Sequence, residues 1–551
     1  MTDIEIPYEK DRHGHYRFFE ILPGFLSWTL LFLPLILSYI NFTYDDTPVN
    51  LAVIFILAYL LIYFVRSLGY DARALQGYFT MRRHLKLDWN AFLEDVEQGE
   101  PTSKTVVRPG WHLDNVKRLA ERPDRIKPSE LMHAVIIATV NESREVLEPT
   151  IQSVLANNYN HKKMMLVIAY EGRAGAVAEK RVQELLEIYK DKFGHALAFK
   201  HPANIPGELI GKGGNISHAG RELEKYLRKQ DIDPGTVLVT TLDADNRPDI
   251  RYFAAVTYLY CVVPNPQRAS YQPLPMFTNN IWDAPTLMRV IATGNTLFYI
   301  VGTQRPHIAR NFSAHAQSMQ ALIDMDFWSV RTIVEDGHHF WRSYFAFDGD
   351  YRVYPLSIPI YQDAVLADGY LKTIRAQFVQ LRRWTYGASD VAYVADKGFF
   401  TKNSKVPKLG TLGKLLRLLE GHVSWATGTI LVFGAAFIPP LLHPQVFAAD
   451  YLPLIVSRIQ KIGIIGLIAS VYVCLVTLPP RPARYRRHRS VLMILQWALA
   501  PVSGIGFGSL AAFNSQTRLM FKRYLSKFDV TEKAVITESG KTLSTEADPD
   551  V

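Results

Sequence analysis

Two carboxylates separated by one residue, Asp243-Ala244-Asp245, follow an apolar run that ends at Leu242. On a chain leaving a strand, such a pair can converge on one hard divalent cation that keeps open positions for phosphate oxygens. A loop-capping pair is the other reading, since chance supplies on the order of one D-x-D in a chain this long. The place at a strand end favours the cation, because two adjacent like charges there would otherwise lack a partner. Gly211-Lys212-Gly213-Gly214-Asn215 precedes a helix-like stretch. Its backbone N–H groups, its lysine and the helix dipole can seat an anion, and a plain turn fits equally. Glu335-Asp336 stands before Gly337, and Gln380-Leu381-Arg382-Arg383-Trp384 closes a helical stretch, Tyr370–Trp384. An aromatic beside a guanidinium fork suits ring stacking plus diphosphate binding. The same letters also suit a helix on the membrane with Trp384 at the headgroups. His338 and His339 invite a metal reading, but adjacent residues point different ways.

The elements that must position these residues alternate in type. His133–Thr139 and Met164–Ala169 are short uninterrupted apolar runs, the mark of strands buried on both faces. Ala196–Phe199 is a weaker third strand and Thr236–Leu242 a fourth. Helical stretches fall between them, after Glu145, over Ala176–Tyr189 and over Asn215–Arg228. Strict strand–helix alternation predicts a parallel, doubly wound α/β sheet. Ligands of such sheets bind past the carboxyl ends of the strands, where Asn141, Glu142, Glu171 and Asp243 fall.

This block lies between apolar runs. Ile21–Phe42 and Thr47–Val65 lack Asp, Glu, Lys and Arg apart from the short link between them, and each is about the 20 residues a crossing helix needs. A cleaved signal fits badly, because the run is long for an h-region and no small-x-small site follows. Apolar runs resume over Gly421–Ala449, Ile462–Pro480 and Ser490–Thr517. The basic loop Arg481–Arg489 places that side in the cytoplasm, and with it Glu420 and the central block. Pro501, Gly504, Gly506 and Gly508 predict a bent, partly re-entrant last segment packed on protein. Leu409, Leu412, Leu415, Leu416 and Leu419, with Lys408, Lys414 and Arg417 between them, predict an amphipathic helix in the membrane interface. A helix packed on the soluble block is the alternative.

Composition narrows the class. The 551 residues are 48% hydrophobic and 21% charged, which excludes a disordered chain. Two cysteines exclude a disulfide scaffold and a Cys-rich metal module. The net charge of +9 goes with membrane anchoring, and no nucleic-acid partner is expected.

Together these residues resemble the membrane-embedded family 2 glycosyltransferases of the cellulose synthase and hyaluronan synthase type. Thr139-Val140-Asn141-Glu142 looks like that family's first nucleotide motif, and Asp243-Ala244-Asp245 its metal motif. Glu335-Asp336 resembles the catalytic acidic pair and Gln380–Trp384 the Q-x-x-R-W. Phe528-Asp529-Val530-Thr531-Glu532-Lys533 matches the F-x-V-T-x-K gating motif of cellulose synthases. The chain departs from the family where the second strand ends in Glu171 in place of an Asp pair, and where Val334 replaces the Thr of T-E-D.

The resemblance implies a GT-A catalytic domain inserted between transmembrane helices. The segments expected are an N-terminal cytoplasmic piece (1–20), a transmembrane hairpin (21–66), a connector (67–131) and the GT-A domain (132–395). An interface helix (396–420), a C-terminal transmembrane region (421–520) and a cytoplasmic tail (521–551) follow. Mg2+ or Mn2+ would sit on Asp245 with Asp243. Thr139, Glu142, Glu171, Lys212, Asp243, Gln380, Arg383 and Trp384 would bind the nucleotide sugar, expected as a UDP-sugar. Asp336 would be the general base of an inverting transfer. Phe528, Val530, Thr531 and Lys533 would gate the site. Three readings follow: a synthase extending a polysaccharide at the cell membrane, a transferase making one addition to a lipid-linked acceptor, or a non-catalytic receptor on a degenerate transferase block. Membrane lipids are partners in all three.

Overall fold

The sequence's uninterrupted apolar runs become the middle of one sheet in the structure. A computed structural model describes residues 4–40, 46–103, 105–122, 124–526, 533–536 and 542–544. The strands of the main sheet are β1 (Met132–Thr139), β2 (Met164–Glu171), β3 (His195–His201), β4 (Val237–Asp243), β5 (Arg247–Pro248), β6 (Ala269–Phe277), β7 (Ala316–Ser318) and β8 (Arg352–Gln362). They form an eight-stranded sheet in the order β3-β2-β1-β4-β7-β6-β8-β5. β1 to β4 run parallel, whereas β7 is antiparallel to both β4 and β6. The sheet is therefore a mixed, mostly parallel α/β sheet.

Period-two alternation sorts the core. Val135, Ile137, Leu166 and Ile168 pack on one face, with side chains from helices Arg144–Leu155, Gly175–Tyr189 and Tyr252–Val262. Ala134, Ile136, Met165 and Val167 pack on the other, against helix Lys212–Lys229. All eight side chains are fully buried, so each face needs its helices, which is why these strands read as continuous apolar runs. From β1 the chain moves outward through β2 and β3, then returns to the far side of β1 as β4. That reversal opens a crevice between the carboxyl ends of β1 and β4.

Among the described residues, five helices are long and apolar enough to cross a membrane: Gly14–Tyr39, Thr47–His84, Lys408–Leu442, Phe447–Val476 and His488–Met520. Two of them differ from the segments read in the sequence. The second helix does not stop near Arg66 but runs unbroken to His84. The expected connector also joins the core, since Trp89, Phe92, Val96, Val116 and Leu119 pack under the sheet. Likewise, the expected interface helix is continuous with the next apolar run as Lys408–Gly434. Its leucines divide: Leu415 and Leu418 are buried against the block while Leu409, Leu412 and Leu416 are exposed. The reason is geometric, because helical spacing turns Leu415 and Leu418 toward Phe340 and Tyr344. The last apolar run bends through a tight turn at Gln496–Leu499 and a wide one at Gly504–Ser509. Close packing accounts for Gly504, where a Cβ would lie 2.9 Å from Thr429 Cγ2.

Candidate active site

Asp243 is the last residue of β4 and sits opposite Ala138 of β1, so its carboxylate opens into the crevice. Lys212 Nζ lies 2.6 Å from Asp243 Oδ1, and the Ser313 hydroxyl donates to the other oxygen. Burial pushes this carboxyl up, but Lys212 and Lys533 outweigh it and hold it below the usual carboxylate range. Asp245 is buried. Its Oδ1 accepts from Lys533 Nζ at 2.8 Å, its Oδ2 from the Asp363 N–H at 3.0 Å, and its carbonyl from Asn279 Nδ2 at 3.0 Å. Asp363 is pushed up to about 6, by burial first and then by Asp245. Lys533 is brought here by a backbone bridge to Leu366, whose carbonyl accepts from the Ala534 N–H at 2.8 Å. Burial alone would lower its pKa; Asp245, Glu142 and Asp243 reverse that and raise it.

Helix Glu335–Ala346 supplies the opposite wall with its first turn. Glu335 is buried, and burial together with Asp336 pushes its carboxyl up, against the pull of Lys212 and Arg383. Asp336 is half-buried, with Oδ1 accepting from the Gly337 N–H at 2.7 Å. Gly213 explains how this wall comes so near: a Cβ there would stand 2.5 Å from the Ser329 carbonyl and 3.2 Å from Glu335 Cβ. The Gly-rich turn thus serves close helix approach, and Lys212 beside it touches both walls electrostatically.

Beyond the end of β1, the Glu142 carboxylate accepts from Thr139 Oγ1 and from the Val140 N–H, both at 2.8 Å. Glu171 ends β2, buried and paired with Arg173. It lines an open cleft of about 380 Å³ with His201, Asn204, Glu208 and Gly211. Helix Tyr370–Thr385 carries the Q-x-x-R-W letters. Gln380 Oε1 accepts from Gln377 Nε2 at 3.1 Å, Arg383 acts on Glu335, and the Trp384 ring centroid lies 6.0 Å from that of Phe277.

The structure therefore joins Lys212, Asp243, Asp245, Glu335, Asp336 and Arg383 by direct contact or mutual electrostatics, with Glu142 within electrostatic reach of Lys533. Glu171 lies beside the Gly211 turn. Gln380 contacts its own helix. Phe528, Val530 and Thr531 lie outside the described residues. His338 and His339 point apart, to Asp390 at 2.8 Å and to Gln317 at 2.5 Å. Sequence reading did not find Asp363, Ser313 or Asn279. Among the described residues no group of three or more His, Cys, Asp or Glu side chains is arranged to hold a metal; a lysine ammonium stands against Asp245 instead.

No family model matches the chain, and no curated protein matches its sequence. Among solved structures, it is similar to a mannosyltransferase, PcManGT, from Pyrobaculum calidifontis in complex with GDP-Man and Mn2+, at 13% identity and a TM-score of 0.41, over 85% of this chain and 100% of that one. It is also similar to residues 1–349 of S. aureus TarS in complex with UDP-GlcNAc, at 11% identity and a TM-score of 0.35, over 75% and 96% of the two chains. A third is GalNAc-T7 with UDP, GalNAc and Mn2+, at 11% identity and a TM-score of 0.31, over 53% and 58%.

Proposed function

We propose that the protein is a metal-dependent, inverting family 2 glycosyltransferase with a GT-A domain, which transfers a sugar from a nucleotide sugar, expected as a UDP-sugar, to a growing polysaccharide at the membrane. The observation that carries this reading is the meeting of two charged walls at the sheet's switch point. Asp243 and Asp245 form one wall, Glu335 and Asp336 the other, and Lys212 lies between them. Bottom-up, that is the inventory a displacement at an anomeric carbon needs: an anion-stabilising side and a proton-accepting side.

The carboxylate oxygens suit Mg2+ or Mn2+, and the ammonium on Asp245 marks the position as one that takes a cation. Asp245 with Asp243 would hold the ion, which when bound neutralises charge on the departing diphosphate. Lys212 and Arg383 would add donors to the same oxygens. Asp336, half-buried and so open to an acceptor, would take the hydroxyl proton as that oxygen attacks. Glu335, held protonated longer by burial, would keep the pair from carrying two full charges. Thr139, Glu142 and Glu171 flank the nucleotide, and Trp384 offers an apolar floor to the acceptor sugar. The domain segments read in the sequence, the cytoplasmic side for the block and the gating role of Phe528, Val530, Thr531 and Lys533 belong to the same proposal.

The test is turnover by the full chain in nanodiscs. With UDP- and GDP-sugars and Mn2+ or Mg2+, one donor should release its nucleoside diphosphate and label a product. Silence with every donor and both metals, by a protein that remains folded, would overturn the reading. A single discrete lipid product in place of a polymer would retain the transferase and overturn the polysaccharide acceptor.

A further inference from the structure

We propose that Arg310, Lys414 and Arg417 form a binding site for the headgroup phosphate of an anionic phospholipid, separate from the crevice at Asp243. Arg310 lies on the loop between helix Thr286–Thr303 and β7, and its guanidinium carbon stands 4.7 Å from the Trp341 ring centroid. Lys414 Nζ stands 5.6 Å from the centroid of Tyr344. Those two rings are buried neighbours on helix Glu335–Ala346, 6.4 Å apart, so the two cations share one aromatic floor. Arg417 follows Lys414 by one turn on the same side of helix Lys408–Gly434.

Protein groups leave these charges uncompensated. Among the described residues, none of the three has a hydrogen-bond or ion-pair partner within the chain. Asp390, the acid that acts on Arg310, is engaged by His338 at 2.8 Å. Glu420 is held by Arg66 at 2.5 Å. Arg305 adds a further cation beside Arg417, with its Nε buried and unpartnered. Burial brings Arg310 down to about 10 against the pull of Asp390, with Arg417 adding a smaller push in the same direction as burial. Like charges whose nearest acids are already engaged by other groups are costly unless an anion joins them.

The surroundings choose the kind of phosphate. Leu409, Leu412 and Leu416, on the same helix, are 84%, 41% and 56% exposed. By helical spacing these leucines face away from Lys414 and Arg417, so what ties the site to lipid is the helix itself, which runs on from the two cations into the apolar span ending at Leu442 and so sets a phosphate beside acyl chains. The acids of the crevice are not among the groups that act on Arg310, and the site stands independently of sugar transfer.

The experiment titrates short-chain phosphatidylglycerol into the full-length protein in detergent, and follows Tm in nanodiscs of phosphatidylcholine with and without phosphatidylglycerol. Arg310→Gln should weaken binding about tenfold, the worth of one charge-assisted contact. Because Arg310 also packs on Trp341, the exposed Arg417→Gln serves as a second variant and should weaken it similarly. Arg486→Gln with Arg487→Gln, cations of the basic loop, should leave it unchanged. Equal losses in that control, or stabilisation by phosphatidylcholine alone, would overturn the site. Full stabilisation by inorganic phosphate in phosphatidylcholine discs would overturn the lipid assignment and make it a site for free phosphate.

Discussion

On the metal role proposed for Asp245, Lys533 and a divalent cation would compete for one carboxylate, and the competition can be measured. The ammonium lies 2.8 Å from Asp245 Oδ1, with 18% of its side chain exposed. A hydrogen bond between charged groups is worth about 1.5–3 kcal/mol. A cation that takes Asp245 must first release that bond, which lowers its apparent affinity by about 10- to 150-fold. Lys533→Met keeps the stem and removes the charge. Mn2+ should then bind the nucleotide-free protein at least about tenfold more tightly in a calorimetric or spin-resonance titration. The same variant leaves Asp245 and Asp363 together with Arg247 as the remaining cation that acts on Asp363, so its Tm without metal should fall, and Mn2+ should restore it. Lys533→Arg, which keeps the charge, should behave as the native chain does. Mn2+ affinity unchanged or weaker in Lys533→Met, with an unaltered metal-free Tm, would refute the reasoning.

Other outcomes follow from the same geometry. Asp336→Asn should leave nucleotide affinity intact in calorimetry while turnover falls by about 10² or more. Glu335 has a raised folded-state pKa, so the stability it contributes is present below its unfolded value of 4.5 and is lost as pH rises through about 8. A Tm–pH profile should show that decline, and Glu335→Gln should flatten it. Asp363, pushed up to about 6 by burial and Asp245, adds a negative charge beside the proposed ion position as it ionises, so Mn2+ affinity should climb as pH passes about 6, and Asp363→Asn should flatten the climb in titrations at stepped pH. Gly213→Ala forces a Cβ to within 2.5 Å of the Ser329 carbonyl; it should cost about 1–3 kcal/mol in denaturant melts and reduce turnover by moving Lys212.

The half of the sheet that the sequence discloses is the half with helices on both faces. β1, β2 and β4 have to be apolar at every position, and Asp243 stands out because it ends such a run. β6 and β8 are hidden by Pro273, Pro275, Pro355 and Pro359, residues that argue against a strand. The β6–β8 ladder shifts register between Gln272 and Leu274, where Pro273 falls, while Pro275, Pro355 and Pro359 keep their places in the pairing. With β8 unseen, Asp363 just beyond it was one acid among many. Ser313 and Asn279 had no local signal either, since each reaches the crevice from a loop whose position only the folded sheet defines. The leucines after Lys408 gave a true helical period, yet spacing alone does not distinguish the side that meets lipid from the side that meets Phe340. The glycines at 213 and 214 fit an anion seat and a plain turn equally in the sequence, and the close approach of Ser329 and Glu335 to Gly213 is visible only in the fold.

The helix Thr47–His84 has 38 residues, about 57 Å end to end. Its lower part, at Val53 and Ile56, is bolted to Leu431 and Leu452 among the apolar helices. Its upper part, at Tyr78 and Met81, is bolted to Leu274 and Met276 of β6. One stiff strut therefore fastens the sheet to the bundle, and the crevice at Asp243 is tied to the apolar helices through a single rigid element, like a crane jib welded to its mast.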